Sequence, residues 1–293
     1  MSPIWSGAAG AIAVAGLLAL AVGMGIGRFA FTPILPMMQE DAGVSIAMGG
    51  WLASANYVGY LLGALSVMGL RMRATSAIRA GLVTIGLATL AMGLESGLAG
   101  WLVLRAIAGV ASAWVLINVS AWCLERLASL GRIGLTNTVF AGVGAGIVLA
   151  GGLCLALMHA GAGSARAWTV LGALSLVLTI AIWPAFRPDV SSPASPERAE
   201  PRTVVWDRES LRLVLCYGAF GFGYIIPATF LPVMARQVIR DPAVFGWSWP
   251  VFGAAAMGST LAVAALRSLM SNRRLWIVSH LVMALGVALP VAW

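Results

Sequence analysis

The sequence predicts an all-α polytopic membrane protein, and three observations carry that prediction. Of its 293 residues, 60% are hydrophobic and only 10% charged, with a mean hydropathy of +0.94. A soluble domain holds nearer half apolar and a quarter charged residues, because its surface must be solvated by water. The charges here are too few for that, so lipid is the solvent for most of the surface. The apolar residues also fall into runs of about 20 or more, the length a helix needs to cross a bilayer core of about 30 Å. Finally, all 18 basic residues are arginine, and most of them sit in the short gaps between those runs.

Nine segments qualify as spans: residues 8–38, 46–70, 76–94, 97–124, 131–158, 165–186, 210–235, 244–266 and 275–293. Backbone groups in lipid must be satisfied internally, so each is read as a helix. The opening Met-Ser-Pro-Ile-Trp-Ser-Gly lacks the positive stretch of a signal peptide, and the apolar run behind it is too long for one. It is read as a first span that stays. The gaps after the even-numbered segments hold thirteen arginines, among them Arg71, Arg73, Arg79, Arg126 and Arg132. The opposite gaps hold three, Arg166, Arg236 and Arg240. By the positive-inside rule the even gaps and the N-terminus face the cytoplasm. The one long connection, residues 187–210, is rich in Pro, Ser and mixed charges and reads as a flexible cytoplasmic tether. It separates a six-helix bundle over 1–186 from three helices over 211–293.

Several function classes fall away. A pI near 10.7 and a net charge of +8 invite nucleic acid, but no basic cluster interleaved with aromatics lies on a soluble face. Cys123, Cys154 and Cys216 lie far apart with no paired spacing, which argues against a disulfide framework or a metal site. Gly142-Val-Gly144-Ala-Gly146 mimics a nucleotide loop, yet no strand precedes it and no acidic ribose ligand follows. An integral membrane enzyme would need a clustered acid–base or metal constellation, and two distant histidines with loop-scattered acids do not supply one. No cofactor is expected.

The seventh segment repeats the first. Gly25-Ile-Gly27 through Leu35-Pro36-Met37-Met38 aligns with Gly221-Phe-Gly223 through Leu231-Pro232-Val233-Met234 at a constant shift of 196 residues. The same shift sets Trp51 on Trp247 and Arg71 on Arg267. Two related six-helix halves are a transporter architecture, with the substrate near the midplane between them. A repeat of 196 predicts a length of about 392 residues, so the chain is expected to lack helices ten to twelve.

The chain resembles the major facilitator superfamily (MFS), specifically its YbfB/YjiJ group. Gly25-Ile-Gly27-Arg28-Phe29-Ala30-Phe31-Thr32-Pro33 with Leu35-Pro36 carries the resemblance, together with Gly50-Trp51-Leu52-Ala53-Ser54-Ala55-Asn56-Tyr57 and Gly59-Tyr60-Leu61-Leu62-Gly63. Arg105, Gly109 and Ala113 resemble the fourth-helix motif, whose arginine the family implicates in proton coupling. The loop after helix two departs from the family pattern: Gly63, Leu65 and Arg71 are present, but Val67 stands at the acidic position and Met68 at the basic one. Helix five is glycine-rich but lacks the Gly-Pro step of the antiporters. The resemblance implies two six-helix bundles, residence in a bacterial inner membrane, and proton-coupled movement of a small molecule by alternating access. The alternative is a truncated, transport-incompetent remnant or a regulatory protein. Lipid and a small-molecule substrate are the expected partners, nucleic acid is not, and the oligomeric state stays open.

Candidate site residues follow from what a bilayer tolerates. Arg28 and Arg105 fall inside apolar segments, where a charge costs at least about 2.5 kcal/mol and usually faces a cavity. All ten acids lie in loops or at helix ends, so two arginines in a cavity without a carboxylate point to an anionic substrate. A snorkelling or carbonyl-binding arginine is the competing reading for each. Asn56 and Tyr60 share a face of helix two with Tyr57 beside them, and they line a cavity or serve as interhelical glue worth about 0.6 kcal/mol each. Tyr224, on the seventh segment, joins the candidates. His280 is either a proton carrier or a hydrogen-bonded core histidine. Gly23-x3-Gly27, Gly59-x3-Gly63 and Gly142-x3-Gly146 predict close helix contacts. Pro33, Pro36, Pro227 and Pro232 are expected to kink or end their helices, and most of the tryptophans to sit in interfacial belts.

Overall fold

Lipid offers the backbone no hydrogen-bond partner, and the chain answers with helices alone: the computed structural model describes residues 7–69, 72–187, 207–239, 241–267 and 269–289, and these contain no strand. The first span joins α1 (Ala8–Leu20), a π-helical turn (Ala21–Ile26) and α2 (Phe31–Asp41). Then come α3 (Ile46–Gly69), α4 (Ala74–Met92), α5 (Leu98–Ser129), α6 (Thr136–His159) and α7 (Ser164–Ile182). Beyond the tether lie α8 (Arg208–Val238), the single turn α9 (Pro242–Phe245), α10 (Ser248–Leu266) and α11 (Asn272–Ala288).

Among the described residues, eight helical stretches are long and apolar enough to cross a membrane, the first being the 34-residue run Ala8–Asp41. They match the first eight predicted segments. The ninth is helical over the 17 residues of α11, while residues 290–293 fall outside the described part, as do Arg71, Arg240 and residues 188–206 of the tether. Helix α8 begins at Arg208, inside the stretch read from the sequence as tether, because Asp207 caps it by accepting from the Ser210 amide at 2.7 Å.

The expected glycine contacts are present. A methyl group added at Gly59 or Gly63 of α3 would meet the backbone of Ala106 or Val110 on α5, and one at Gly109 would meet the backbone of Asn56. Gly142 and Gly146 of α6 lie in the same way on Leu17 and Ala21. Helix α10 joins the first six helices through a similar seam, with Gly144 against Gly253 and Met257. In lipid no hydrophobic effect drives helices together, so close backbone approach supplies the dispersion contacts that do.

Two apolar clusters fill the first six helices. One contains Leu20, Leu82, Val115, Trp122 and Phe186, the other Phe31, Ile34, Leu35, Met38 and Trp168. Trp101, Trp122, Trp168 and Trp249 are all buried within the protein. Three of the four prolines singled out in the sequence do not end their helices. Pro36, Pro227 and Pro232 each lie inside a helix that continues past them. The Pro36 carbonyl accepts from Arg236 at 2.8 Å, which ties α2 to α8.

Candidate functional site

The break in the first span is where the candidate residues converge. In the π-helical turn the Gly27 and Phe29 amides reach back five residues, to Val22 at 2.9 Å and Met24 at 3.0 Å. The Thr32 amide then bonds to Phe29 at 3.2 Å, a three-residue step that passes over the Arg28 carbonyl. Such π-bulges mark places where a helix has been displaced from its ordinary ladder.

Arg105 of α5 fills the gap. Its two terminal nitrogens donate to the carbonyls of Gly27 at 3.4 Å and Arg28 at 3.2 Å, and its guanidinium lies 4.9 Å from the centre of the Phe31 ring. Asn56 of α3, fully buried, donates to the Gly27 carbonyl at 3.4 Å and to Arg105's own carbonyl at 2.9 Å. One amide and one guanidinium thus tie α3, α5 and the break into a single network. Carbonyl binding is what the structure gives Arg105, and interhelical bonding is what it gives Asn56.

Arg28 is placed differently. Its guanidinium faces three aromatic rings, at 4.5 Å from Tyr60, 5.2 Å from Tyr57 and 5.4 Å from Phe29. Cation–π contacts of this kind contribute about 0.5–2 kcal/mol each, the larger value where water is excluded. Its Nε is sealed from solvent without a hydrogen-bond partner, and no carboxylate of the described residues lies within ion-pair distance. Tyr57 reaches across to α8, where its hydroxyl hydrogen-bonds the Thr229 hydroxyl at 2.5 Å. Tyr224 lies within electrostatic reach of Arg28, as Tyr60 does.

His280 stands apart from this group but is linked to it through rings. Its imidazole is 4.4 Å from Phe220, which is 5.6 Å from Tyr224. His280 Nδ1 is 2.8 Å from the Trp276 carbonyl, an acceptor, so Nδ1 carries the proton in the neutral ring. Nε2 is then a free lone pair, buried and without a partner. Five of the candidates, Arg28, Arg105, Asn56, Tyr57 and Tyr60, therefore form one contact group. Tyr224 borders it, and His280 lies one ring further out.

Sequence reasoning missed Phe29, Thr229, Trp249 and Phe252. Trp249 is fully buried with its indole N–H unpartnered, 6.4 Å from Phe29 and stacked on Phe252 at 4.9 Å. The repeat singles out Trp247, and nothing in the sequence set Trp249 apart.

The acids are at the far end of α2. Glu40 pairs with Arg236 of α8 at 3.2 Å, and Asp41 accepts from the Ser164 amide and, at 2.8 Å, from its hydroxyl, capping α7. A cleft of about 460 Å³ lined by Met37, Glu40, Asp41, Met158, Arg236 and Phe245 lies there.

With this geometry in place, the comparisons are informative. A family model described as uncharacterised MFS-type transporter YbfB matches residues 20–293. No curated protein matches the chain.

Proposed function

The chain belongs to the MFS-type transporter family of YbfB, and from that premise we propose that it is a secondary active transporter moving a small anion by alternating access. The observation that carries the anion is Arg28: a guanidinium ringed by aromatics, at the break of the first span, with no carboxylate of the described residues beside it. A charge held at bilayer depth without a counter-ion is retained for a ligand.

Two bundles, residues 1–186 and 211–293 joined by a cytoplasmic tether, rock about this site. A contact between repeat-related positions supports that division: Glu40 pairs with Arg236, 196 residues away. Two halves related by an axis bring equivalent positions together only near that axis, which is where such carriers bind substrate. The arginine distribution sets the N-terminus in the cytoplasm, and the membrane is the bacterial inner membrane. A proton gradient drives the cycle, with the free Nε2 of His280 as the proton acceptor.

The test is uptake of labelled small organic anions, cations and neutral analogues by proteoliposomes carrying the full chain. Anion uptake that grows with an imposed pH gradient and vanishes in Arg28→Gln is expected. Uptake of cations or neutral solutes alone, or undiminished uptake in Arg28→Gln, would sink the proposal.

A further inference from the structure

Resting on the transporter reading, the chemistry around Arg28 narrows the substrate to a class. One guanidinium offers a planar fork that matches the two oxygens of a single carboxylate. The second guanidinium nearby, Arg105, does not add a second fork, because its terminal nitrogens already donate to the carbonyls of Gly27 and Arg28. The site therefore has donors for one anionic head. Tyr60, whose ring lies 4.5 Å from the Arg28 guanidinium, adds a donor beside it. Tyr60 and Tyr224 both lie within the field of Arg28, and neither hydroxyl has a hydrogen-bond partner among the described residues, whereas Tyr57 is bonded to Thr229.

Several aromatic rings lie close by. Phe29 and Tyr57 flank Arg28; Trp249 and Phe252 stack with their planes 6° apart, Trp249 lying against Phe29; and Phe220 lies beside Tyr224. The indole N–H of Trp249 is fully buried and unpartnered, as the Arg28 Nε is. Ring faces favour a flat ligand through offset stacking worth about 0.5–1.5 kcal/mol beyond burial. A branched aliphatic body fills such walls less well, and a dianion brings a second charge to a site with one open fork.

We propose that the substrate is an aromatic monocarboxylate, its carboxylate held by Arg28 with the Tyr60 and Tyr224 hydroxyls and its ring packed among Phe29, Tyr57 and Trp249.

Isothermal titration of the purified full chain with benzoate, benzamide, cyclohexanecarboxylate, succinate and inorganic phosphate tests this. Benzoate should bind, with benzamide at least about tenfold weaker for want of the charge-assisted bond and cyclohexanecarboxylate about threefold weaker for want of stacking. Arg28→Gln should lose about tenfold or more in benzoate affinity, and Tyr60→Phe and Tyr224→Phe about threefold to tenfold each. Phosphate or succinate binding more tightly than benzoate would overturn the class, as would equal binding of benzamide or unchanged affinity in Arg28→Gln. The wild-type ligand series needs no variant, so a poorly folding Arg28→Gln does not shelter the proposal. Counterflow of labelled benzoate in proteoliposomes separates the two readings. Binding without movement removes the transporter and leaves the ligand class, whereas movement of other anions with no benzoate binding removes the class and leaves the transporter.

Discussion

The first span and α8 carry the same pattern 196 residues apart, yet they fold differently. Gly25-Ile-Gly27 lies in a π-helical turn that breaks into a non-helical step, whereas Gly221-Phe-Gly223 lies in the continuous helix Arg208–Val238. Their surroundings account for the difference. A methyl group at Gly25 would strike the Gly146 backbone, and one at Gly27 would come within 2.7 Å of the Ser112 hydroxyl, while at Gly221 and Gly223 nothing lies within 4 Å. In its most apolar stretch the first span is 67% buried and α8 11%. Glycines allow a helix to be displaced; neighbours supply the force and the replacement hydrogen bonds. In the first span Arg105 and Asn56 satisfy the carbonyls that the break exposes.

The comparison can be broken most directly at the glycines themselves. Gly25→Ala should destabilise by about 1–3 kcal/mol through overpacking against Gly146. Gly221→Ala should be neutral or stabilising by up to about 1 kcal/mol through helix propensity. Thermal unfolding of the two variants in the same detergent decides it, and similar shifts would mean that packing does not distinguish the two copies. Removing the hydrogen bonds at the break should cost about 1–3 kcal/mol in Arg105→Gln, with faster amide exchange over residues 27–32. Arg105→Lys should not restore it, since a single ammonium lacks the fork that spans two carbonyls.

Smaller effects sharpen the contrast where the two copies meet. Tyr57→Phe removes the bond to Thr229 and should cost about 0.6–1.7 kcal/mol, the range for hydrogen bonds between membrane helices. The Glu40–Arg236 pair is partly exposed on both sides, so Glu40→Gln should cost less than about 1 kcal/mol, and less still at high salt. The least effect is expected from acid. The Asp207 carboxyl is held below its usual range, first by the Ser210 hydroxyl and then by the Ser210 amide, and Glu95 is held low by the Gly97 and Ser96 amides. A depressed carboxyl contributes stability above its ordinary pKa and loses it as pH falls through the lowered value. Amide exchange at the start of α8 should therefore rise below about pH 4 and at the start of α1 should not, because Gly7 there has no side-chain cap. Asp207→Asn should keep the cap and abolish that pH dependence.

Much of this architecture was legible in the residues. A span announces itself through some 20 apolar positions because lipid leaves the backbone no other partner, and the eight helices follow the segments read from hydropathy. Arg28 and Arg105 stood out as charges inside apolar runs, and Asn56, Tyr57 and Tyr60 as polar residues of one helix, but that these five meet was not legible. Their division of labour was not legible. Arg28 and Arg105 look alike in the sequence, but one faces rings and the other backbone carbonyls. Thr229 and Trp249 carried no signal at all, because a threonine one turn from a proline, or a tryptophan near a helix start, is ordinary until a partner helix is laid against it.

Composition and periodicity by themselves determined that the chain crosses a membrane as a helical bundle, where most spans begin and end, and which charges are too deep to be solvated. Those are one-dimensional properties, set by how many apolar residues run together and where arginine interrupts them. Tertiary structure decided which of two equivalent glycine pairs sits in a broken helix, which arginine is consumed by the backbone, and that positions 40 and 236 meet across the halves. Each of these depends on which groups of one helix lie against which groups of another, and a hydrogen bond or a ring contact acts over only a few ångströms.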